Sequence, residues 1–418
     1  MNRQLIHGDS VKELKKFDDN SVDLLCTDPP YGYGFMGRDW DKVLPDIKIF
    51  KECFRVLKPG SMAFVMSAPR SDVQYRMAEM LEKVGFRIDY TPIYWTYASG
   101  FPKAMNIGKM LDKRQGNKRE EVEDPQSAKR NKTKSDREVY GDYKDTNYKV
   151  TKGSSELEGS YGGFQPKPAV EVVIVAMKPL DKKGYLEQAQ DNGKGITWFD
   201  DCRIPFADES EQWGNVPADD IRGGNLINDE TKNHPTLIKN SSPMGRFPAN
   251  MLVSDEALND YSKFFSLDSW FEENLKSLPE PVQQTFPFMI VPKASKAEKN
   301  DGLDNFDTKQ TTGGGGGVGD YIDDVNSASG KFGSEKAPSR NIHPTVKPLT
   351  LMNYLVVLGS RKGDVVLEPF AGSGTTALAC VSQERDYIAI EREEEYYEIA
   401  KARLDKVEQP LKMWEKFS

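Results

Sequence analysis

Cysteine is scarce in this 418-residue chain: the four present, Cys26, Cys53, Cys202 and Cys380, lie far apart and none forms a Cys-x-x-Cys pair. That spacing argues against a zinc site and against a disulfide framework, and it fits a reducing cytoplasm. No run of about 18 apolar residues occurs, which excludes a helical membrane span. Met1 to Asp9 lacks the charged-then-apolar pattern of an export signal. An excess of positive charge is missing too, since the formal charge is −8. This speaks only weakly against a nucleic-acid partner, because phosphate binding needs a local basic face and not a basic total. Much of the acid is concentrated locally, as in Glu391, Glu393, Glu394 and Glu395.

What is present is an α/β alternation at both ends of the chain. A helix from Val11 to Phe17 precedes the strand Val22 to Thr27. A helix over Ile47 to Leu57 stops at Lys58-Pro59-Gly60, and the strand Met62 to Met66 follows. A helix from Val73 to Val84 closes at Gly85, ahead of a β-rich stretch from Ile88 to Tyr97. The strand Ala169 to Ala176 stands alone further on. After it come a helix at Leu349 to Leu358, a strand at Asp364 to Glu368, a helix at Thr375 to Val381, a strand at Tyr387 to Ile390 and a helix from Glu394 to about Val407. Short apolar strands between helices indicate a largely parallel sheet covered on both faces.

Between these halves the pattern fails twice. Residues 98–167 carry Lys113, Arg114, Lys118, Arg119, Lys129, Arg130, Lys132, Lys134 and Arg137 among almost no aliphatics, and read as a mobile, partly basic insertion or a plain solvated loop. Residues 182–341 are turn-rich and bear aromatics and the run Gly313 to Gly317, a flexible loop by composition. No Lys-Ser/Thr follows those glycines as a phosphate-binding P-loop requires.

Two turns carry chemistry. The first, Thr27-Asp28-Pro29-Pro30-Tyr31-Gly32, follows an apolar strand directly. In a doubly wound sheet, ligands sit beyond the carboxyl ends of the strands. The lone pair of an aromatic amine is delocalised into its ring. Two acceptors that hold both N–H groups favour a more tetrahedral nitrogen with its lone pair free to attack. The Asp28 carboxylate and the Pro29 carbonyl can be those acceptors, Pro29 and Pro30 restrict the backbone in advance, and Tyr31 offers a flat stacking face. The alternative is a Pro-rich turn with Tyr31 covering the sheet edge.

The second turn is Leu367-Glu368-Pro369-Phe370-Ala371-Gly372-Ser373-Gly374-Thr375-Thr376. Its glycines let a ligand approach the backbone, and a helix N-terminus follows. Glu391, at the end of the next strand, suits bidentate hydrogen bonding to ribose hydroxyls. The third glycine of a dinucleotide fingerprint is absent.

The two turns together resemble the DNA amino-methyltransferases, in which a Phe-x-Gly-x-Gly-type cofactor turn is paired with an Asp-Pro-Pro-Tyr turn. The order found here, catalytic turn first, resembles the circularly permuted β class, with its target-recognition region between the halves. Asn341-Ile342-His343-Pro344-Thr345-Val346-Lys347-Pro348 looks like the family's remaining cofactor-side motif, and Ile6-His7-Gly8-Asp9 resembles its N-terminal Gly-Asp element. Further segments are similar to phage and prophage adenine enzymes: Gly34 to Asp41, Ser99 to Lys103, Lys167 to Glu171, Gly245 to Asn250 and Lys293 to Lys296. The likeness covers nearly the whole chain and is thinnest over 110–160 and 205–240.

The resemblance implies a doubly wound, seven-stranded Rossmann-like methyltransferase sheet. It is divided into a catalytic half (1–97), an insertion (98–167), a core strand (168–181), a target-recognition domain (182–341) and a cofactor-binding half (342–418). It implies S-adenosylmethionine as cofactor, no metal, and double-stranded DNA as partner, with a homodimer left open. The target base would be flipped out of the duplex, and its N6 (adenine) methylated. Asp28, Pro29, Pro30 and Tyr31 would be catalytic; Asp9, Thr345, Lys347, Glu368, Phe370, Ala371, Gly372, Ser373, Gly374, Thr375 and Glu391 would bind cofactor. The family tends to have Asp at the first motif position for adenine and Ser for cytosine, so Asp28 favours adenine over N4-cytosine. Two dull roles stay open, with Asp9 capping a helix and His343 capping a turn. Outside the family, a nicotinamide oxidoreductase would use the glycine turn but leaves Asp28 to Tyr31 unexplained, and a silent DNA-binding module would not need either turn intact.

Overall fold

The computed structural model describes residues 3–32, 42–97, 104–123, 149–164, 169–206, 245–254, 257–279, 283, 296–304, 306, 341, 343 and 345–414. The aromatic loop Gly34 to Asp41, Ser99 to Lys103, the glycine run Gly313 to Gly317, the basic residues from Lys129 to Arg137, Lys167 and Lys293 lie outside the described residues. The chain divides into two units, one of residues 1–99 and 169–418 and one of residues 100–168.

In the larger unit β1 (Arg3–His7), β2 (Val22–Thr27), β3 (Leu57–Ser67), β4 (Ile93–Thr96), β5 (Val170–Met177), β6 (Met251–Val253), β7 (Val365–Glu368) and β8 (Asp386–Glu391) form one sheet. Its spatial order is β1-β8-β7-β2-β3-β5-β4-β6. All neighbouring pairs are parallel except those of β5, which runs antiparallel to both β3 and β4. The sheet is thus doubly wound as expected, with seven strands from the two catalytic halves and the core strand. An eighth, β6, joins the edge beside β4. It comes from the region read as a separate recognition domain, so at least this part of 182–341 is built into the catalytic sheet.

Both faces are covered, which is why the strands read as continuous apolar runs. Leu24 and Leu25 of β2 show the alternation. Leu24 joins a core with Phe64, Trp95 and the helices α7 (Leu349–Gly359) and α8 (Thr375–Ser382). Leu25 joins the opposite core with Ala63 and residues of α2 (Ile47–Val56) and α3 (Ser71–Val84). The α2 helix is amphipathic and buries Phe50, Cys53 and Val56. By contrast α7 is apolar on every side, and all its residues are buried between the sheet, α8 and a helix at Leu267–Lys276.

Two local expectations change. The Lys-Pro-Gly signal does stop α2, but β3 begins at once at Leu57, with a register shift between Val22↔Leu57 and Leu24↔Met62 that absorbs Lys58 to Ser61. The β-rich stretch from Ile88 to Tyr97 pairs as a strand over Ile93–Thr96 alone.

The smaller unit has little aliphatic core and is organised around an ionic centre instead. Its helix Ile107–Gln115 is capped by the Asn106 side chain, and strands pair Glu120–Glu123 with Lys149–Lys152 and Met105–Asn106 with Tyr161–Gly162. The fully buried Asp112 accepts from the Ser155 backbone N–H (2.9 Å) and from Arg119, whose guanidinium also reaches Glu158 at 2.7 Å. The lack of aliphatics in the sequence therefore does not leave 104–123 and 149–164 without regular structure.

Candidate functional site

The carboxyl ends of the seven strands other than β5 lie at one edge of the sheet, and both turns of interest open there. The Asp-Pro-Pro-Tyr turn leaves β2 at Thr27, and the glycine turn leaves β7 at Glu368. Because β2 and β7 are adjacent and parallel, with Leu24↔Val366 and Leu25↔Leu367 in register, the two turns are neighbours although their residues are far apart in sequence. A side-chain bond joins them: Thr27 Oγ1 donates to Glu368 Oε1 at 2.5 Å.

Glu368 is buried and its carboxyl is occupied from within. The Phe370 N–H and the Thr376 hydroxyl donate to it at 3.0 and 2.9 Å. Burial pushes its pKa up to about 8 against the three donors that favour the charged form. It therefore shapes the glycine turn and ties it to β2.

The glycine turn is held rigidly. Gly372 has φ +53°, and a Cβ there would lie 2.8 Å from Nε2 of His343. Gly374 (φ +78°) is the N-cap of α8, and a Cβ on it would meet that of Ala400 at 3.0 Å. Both positions require glycine. Arg403, buried on the terminal helix α9 (Glu394–Trp414), donates to the Ser373 carbonyl (2.5 Å), the Ser373 hydroxyl (3.1 Å) and the Thr375 hydroxyl (3.3 Å). Ala371 N–H donates to Ile390 O at 2.9 Å, and Phe370 packs on the α2-side core with its ring 6.3 Å from that of Phe50.

Glu391 lies where β8 ends. Its Oε2 accepts from the Gly372 N–H at 2.6 Å and its Oε1 from the Glu393 N–H at 2.8 Å. Burial raises its pKa above the usual value, and the two N–H donors oppose that. Asp9 caps α1 (Ser10–Leu14), accepting from Lys12 N–H at 3.1 Å, so its dull role is real. It stays near the glycine turn, because Ser10 donates to the Pro369 carbonyl at 2.6 Å and Gly8 N–H to the Glu391 carbonyl at 2.9 Å.

On the other turn, Pro29 is buried, Pro30 half-buried, and the Tyr31 hydroxyl donates to Asp28 Oδ1 at 2.7 Å. The second Asp28 oxygen receives the ammonium of Lys347. Sequence pattern placed Lys347 with the cofactor-side residues. In the structure its ammonium lies on the Asp-Pro-Pro-Tyr turn, 5.6 Å from the Tyr31 ring centroid and 3.5 Å from Glu171 Oε2. Burial works against its charge, but Asp28 and Glu171 outweigh that and hold its pKa above the usual value. Thr345, two residues earlier, is exposed, and its N–H donates to His343 Nδ1 at 3.4 Å. A cavity of about 290 Å³ lined by Tyr31, Gly32, Leu44, Arg70, Asp72 and Arg76 adjoins the turn.

Glu171, Thr27 and Arg403 were not singled out as site residues by sequence reasoning. Glu171 had a signal, since it ends one of the family-like segments; a lone Thr before the motif and an Arg in an amphipathic helix had none. Region 182–341 holds Arg203, Arg222, Asn225, Arg246, Asn250 and Lys293 as polar residues suited to reading base edges, and three of them are engaged internally. Arg203 donates to the Gly245 carbonyl (3.2 Å), Arg246 to the carbonyls of Pro205 and Lys263 (both 3.2 Å), and Asn250 to the Pro92 carbonyl (3.2 Å). Arg222 and Asn225 lie outside the described residues. All four cysteines are buried, and burial pushes the thiols up, so none offers a thiolate nucleophile. Among the described residues no cluster of three or more His, Cys, Asp or Glu could hold a metal ion, and no helix is long and apolar enough to cross a membrane.

A doubly wound sheet thus brings together, at the ends of neighbouring strands, a glycine turn, an acidic residue at the next strand end and a carboxylate-bearing turn. The family model for N6/N4 DNA methylases matches residues 22–402, and the chain belongs to that family. Type II methyltransferase M2.MboI of Moraxella bovis is 44% identical over 70 residues, 17% of this chain and 26% of that protein. M.HpaI of Haemophilus parainfluenzae is 45% identical over 67 residues, 16% of this chain and 21% of that protein. The matched stretches thus span about a quarter of the length of these relatives. Among solved structures, the cytosine-N4-specific PvuII DNA methyltransferase aligns over 99% of this chain and 93% of its own at 14% identity, with a TM-score of 0.42. The M1.HpyAVI–SAM complex aligns over 96% and 99% at 14% identity, with a TM-score of 0.37.

Proposed function

We propose that this protein transfers a methyl group from S-adenosylmethionine to the exocyclic amine of a base in double-stranded DNA, and that the base is adenine. The observation that carries the reading is the Asp28 carboxylate, held by Tyr31 and Lys347 at the end of β2 and joined through Thr27 and Glu368 to the glycine turn at the N-terminus of α8. Family membership supports methyl transfer, and Asp at the first motif position favours N6 of adenine over N4 of cytosine. The two curated relatives are type II methyltransferases.

The residues present fit the cofactor. Gly374 opens α8 with its N-terminal backbone beside the turn, Glu391 offers acceptors for a ribose diol, and Asp9 flanks the turn. S-adenosylmethionine, when bound, supplies a methyl group activated by a sulfonium. Asp28 and the Pro29 carbonyl accept the two N–H bonds of the target amine and aim its lone pair, so no covalent enzyme intermediate is needed. The buried cysteines accord with direct transfer. The base reaches Asp28 by leaving the duplex and stacks on Tyr31, with the adjoining cavity as room for the flipped nucleotide. The region 182–341 reads the target sequence. Since Arg203, Arg246 and Asn250 are spent on backbone carbonyls, Arg222, Asn225 and Lys293 are the remaining donors proposed for that work.

Labelled methyl transfer to DNA, followed by hydrolysis to identify the modified base, tests this directly. Asp28→Ala is expected to lose at least ~100-fold in rate, as when a transition-state hydrogen-bond partner is removed, with cofactor binding retained. Absence of label on DNA would refute the reading, near-normal turnover by that variant would overturn the role of Asp28, and label on cytosine would correct the base.

A further inference from the structure

The antiparallel course of β5 has a chemical result. Every other strand presents its carboxyl end to the cleft, whereas β5 presents its beginning, and Glu171 is the second residue of that strand. Its carboxylate therefore arrives beside a turn that belongs to β2. Lys347 fills the space between: its side chain is 10% exposed, and its ammonium meets Asp28 Oδ2 on one side and Glu171 Oε2 at 3.5 Å on the other.

We infer that Asp28, Lys347 and Glu171 act as one carboxylate–ammonium–carboxylate set, in which Lys347 and Glu171 are positioning residues that orient and charge-tune the amine-accepting carboxylate. The inference rests on the methyl-transfer reading and deepens it. An ammonium has three donors and no acceptor, so one Lys can direct protons to two carboxylates at once. With the Tyr31 hydroxyl on Oδ1 and Lys347 on Oδ2, the Asp28 carboxylate plane is fixed from both sides. The titratable groups around Lys347 are Asp28 and Tyr31 from the end of β2, Glu171 from β5, Tyr97 just past β4, and Glu368 from β7 beyond Asp28. Among the described residues, Asp28 and Glu171 against Lys347 leave one negative charge in excess. An amine nitrogen becomes positive as its new bond to carbon forms, so that excess matches the charge developing at the reacting atom and discriminates it from the neutral starting amine.

The test uses the full-length enzyme with a DNA duplex and labelled S-adenosylmethionine, recording kcat, the KM of each substrate and the pH profile of kcat. Lys347→Met is expected to lower kcat on the order of 100-fold with unchanged cofactor affinity. Its acid limb should move to higher pH, because two carboxylates without an intervening cation resist joint ionisation. Lys347→Arg should recover part of kcat and return the limb toward wild type. Glu171→Gln should move the limb the other way, to lower pH, with a smaller loss of kcat. Opposite displacements from the two partners are not produced by a merely structural role. Wild-type limbs in both Lys347→Met and Glu171→Gln, or weakened cofactor binding with kcat intact in Lys347→Met, overturn the inference. If Lys347→Met fails to fold, Lys347→Arg and Glu171→Gln carry the test, and wild-type profiles in both overturn it. The wild-type enzyme and Asp28→Asn separate the two levels. Failure of the wild-type enzyme to label DNA defeats the methyl-transfer reading itself, while normal transfer by Asp28→Asn removes Asp28 from the chemistry and overturns this inference. An inactive Asp28→Asn beside unaltered Lys347 and Glu171 profiles defeats this inference alone.

Discussion

Two buried lysines at opposite ends of the same strand do opposite things. At the amino end of β2, Lys194 bridges Asp23 (2.9 Å) and Asp364 (2.8 Å), Lys58 adds a second cation on Asp23 at 2.6 Å, and the Val365 N–H donates to the same carboxylate at 2.9 Å. Two cations face two anions, and the cluster is closed. At the carboxyl end, among the described residues, Lys347 alone faces Asp28 and Glu171, and the negative excess lies at the cleft. Balanced charge under a sheet is a staple, while unbalanced charge at the strand ends, where backbone loops leave room for a ligand, is held against the folding equilibrium for a purpose.

The comparison can be broken most severely at the staple. Lys194→Met leaves Asp23 and Asp364 short of a cation, and removing one partner of a buried ion pair costs about 3–5 kcal/mol. Urea unfolding should register that loss, with methyl transfer per folded molecule unchanged. A stable Lys194→Met enzyme with slowed chemistry would mean that the two ends do not divide the labour. A smaller effect is expected at the cleft end from Glu391→Ala. It should lose roughly 1.5–3 kcal/mol of S-adenosylmethionine affinity by titration calorimetry, the worth of a charge-assisted hydrogen bond, and much of the rate should return at saturating cofactor. Unchanged affinity would remove Glu391 from the cofactor site.

The finest distinction is in pH dependence. At the staple, burial raises the pKa of Asp23, but Lys194, Lys58 and the Val365 N–H outweigh it, so the carboxyl sits below its usual 3.8. Its contribution to stability is present above that value and is lost as pH falls through the lowered pKa. Glu368 behaves oppositely, with a pKa near 8 against a usual 4.5. Between those two values the native state keeps a proton that the unfolded chain has released, so stability declines as pH rises. Thermal melts of Glu368→Gln should lack this decline between pH 4.5 and 8 while keeping the acid limb, which Asp23→Asn should diminish. Parallel slopes in wild type and Glu368→Gln would contradict the assignment.

The strands and helices of the two halves were largely legible because periodicity, caps and turn residues agree there. Val22 to Thr27 is a strand in both readings, and Gly85 ends its helix in the left-handed conformation that glycine favours. The Glu368 turn was legible as a glycine turn between a strand and a helix, but its inward carboxylate was not, since Thr27 becomes its partner only through the β2–β7 pairing. Lys347 was legible as a candidate site residue, but its place against Asp28 was not. Its motif neighbours lead toward the glycine turn, and what draws its ammonium elsewhere is Glu171, on a strand whose reversed direction no local pattern discloses. Likewise the edge strand Met251–Val253 is too short to announce itself and exists through its pairing with Tyr94 to Thr96.

The adjacency of β2 and β7 also bears on synthesis. The Thr27–Glu368 bond spans 341 positions, and at about 5–20 residues per second the ribosome needs roughly 20–70 seconds to cover such a distance. For that interval β2 can pair with β3 on one side while its other edge, Leu24 and Leu25 included, has no β7 to accept its hydrogen bonds. An apolar strand edge left open that long invites pairing with another chain. The nascent protein therefore carries an unpaired apolar edge until β7 has been made.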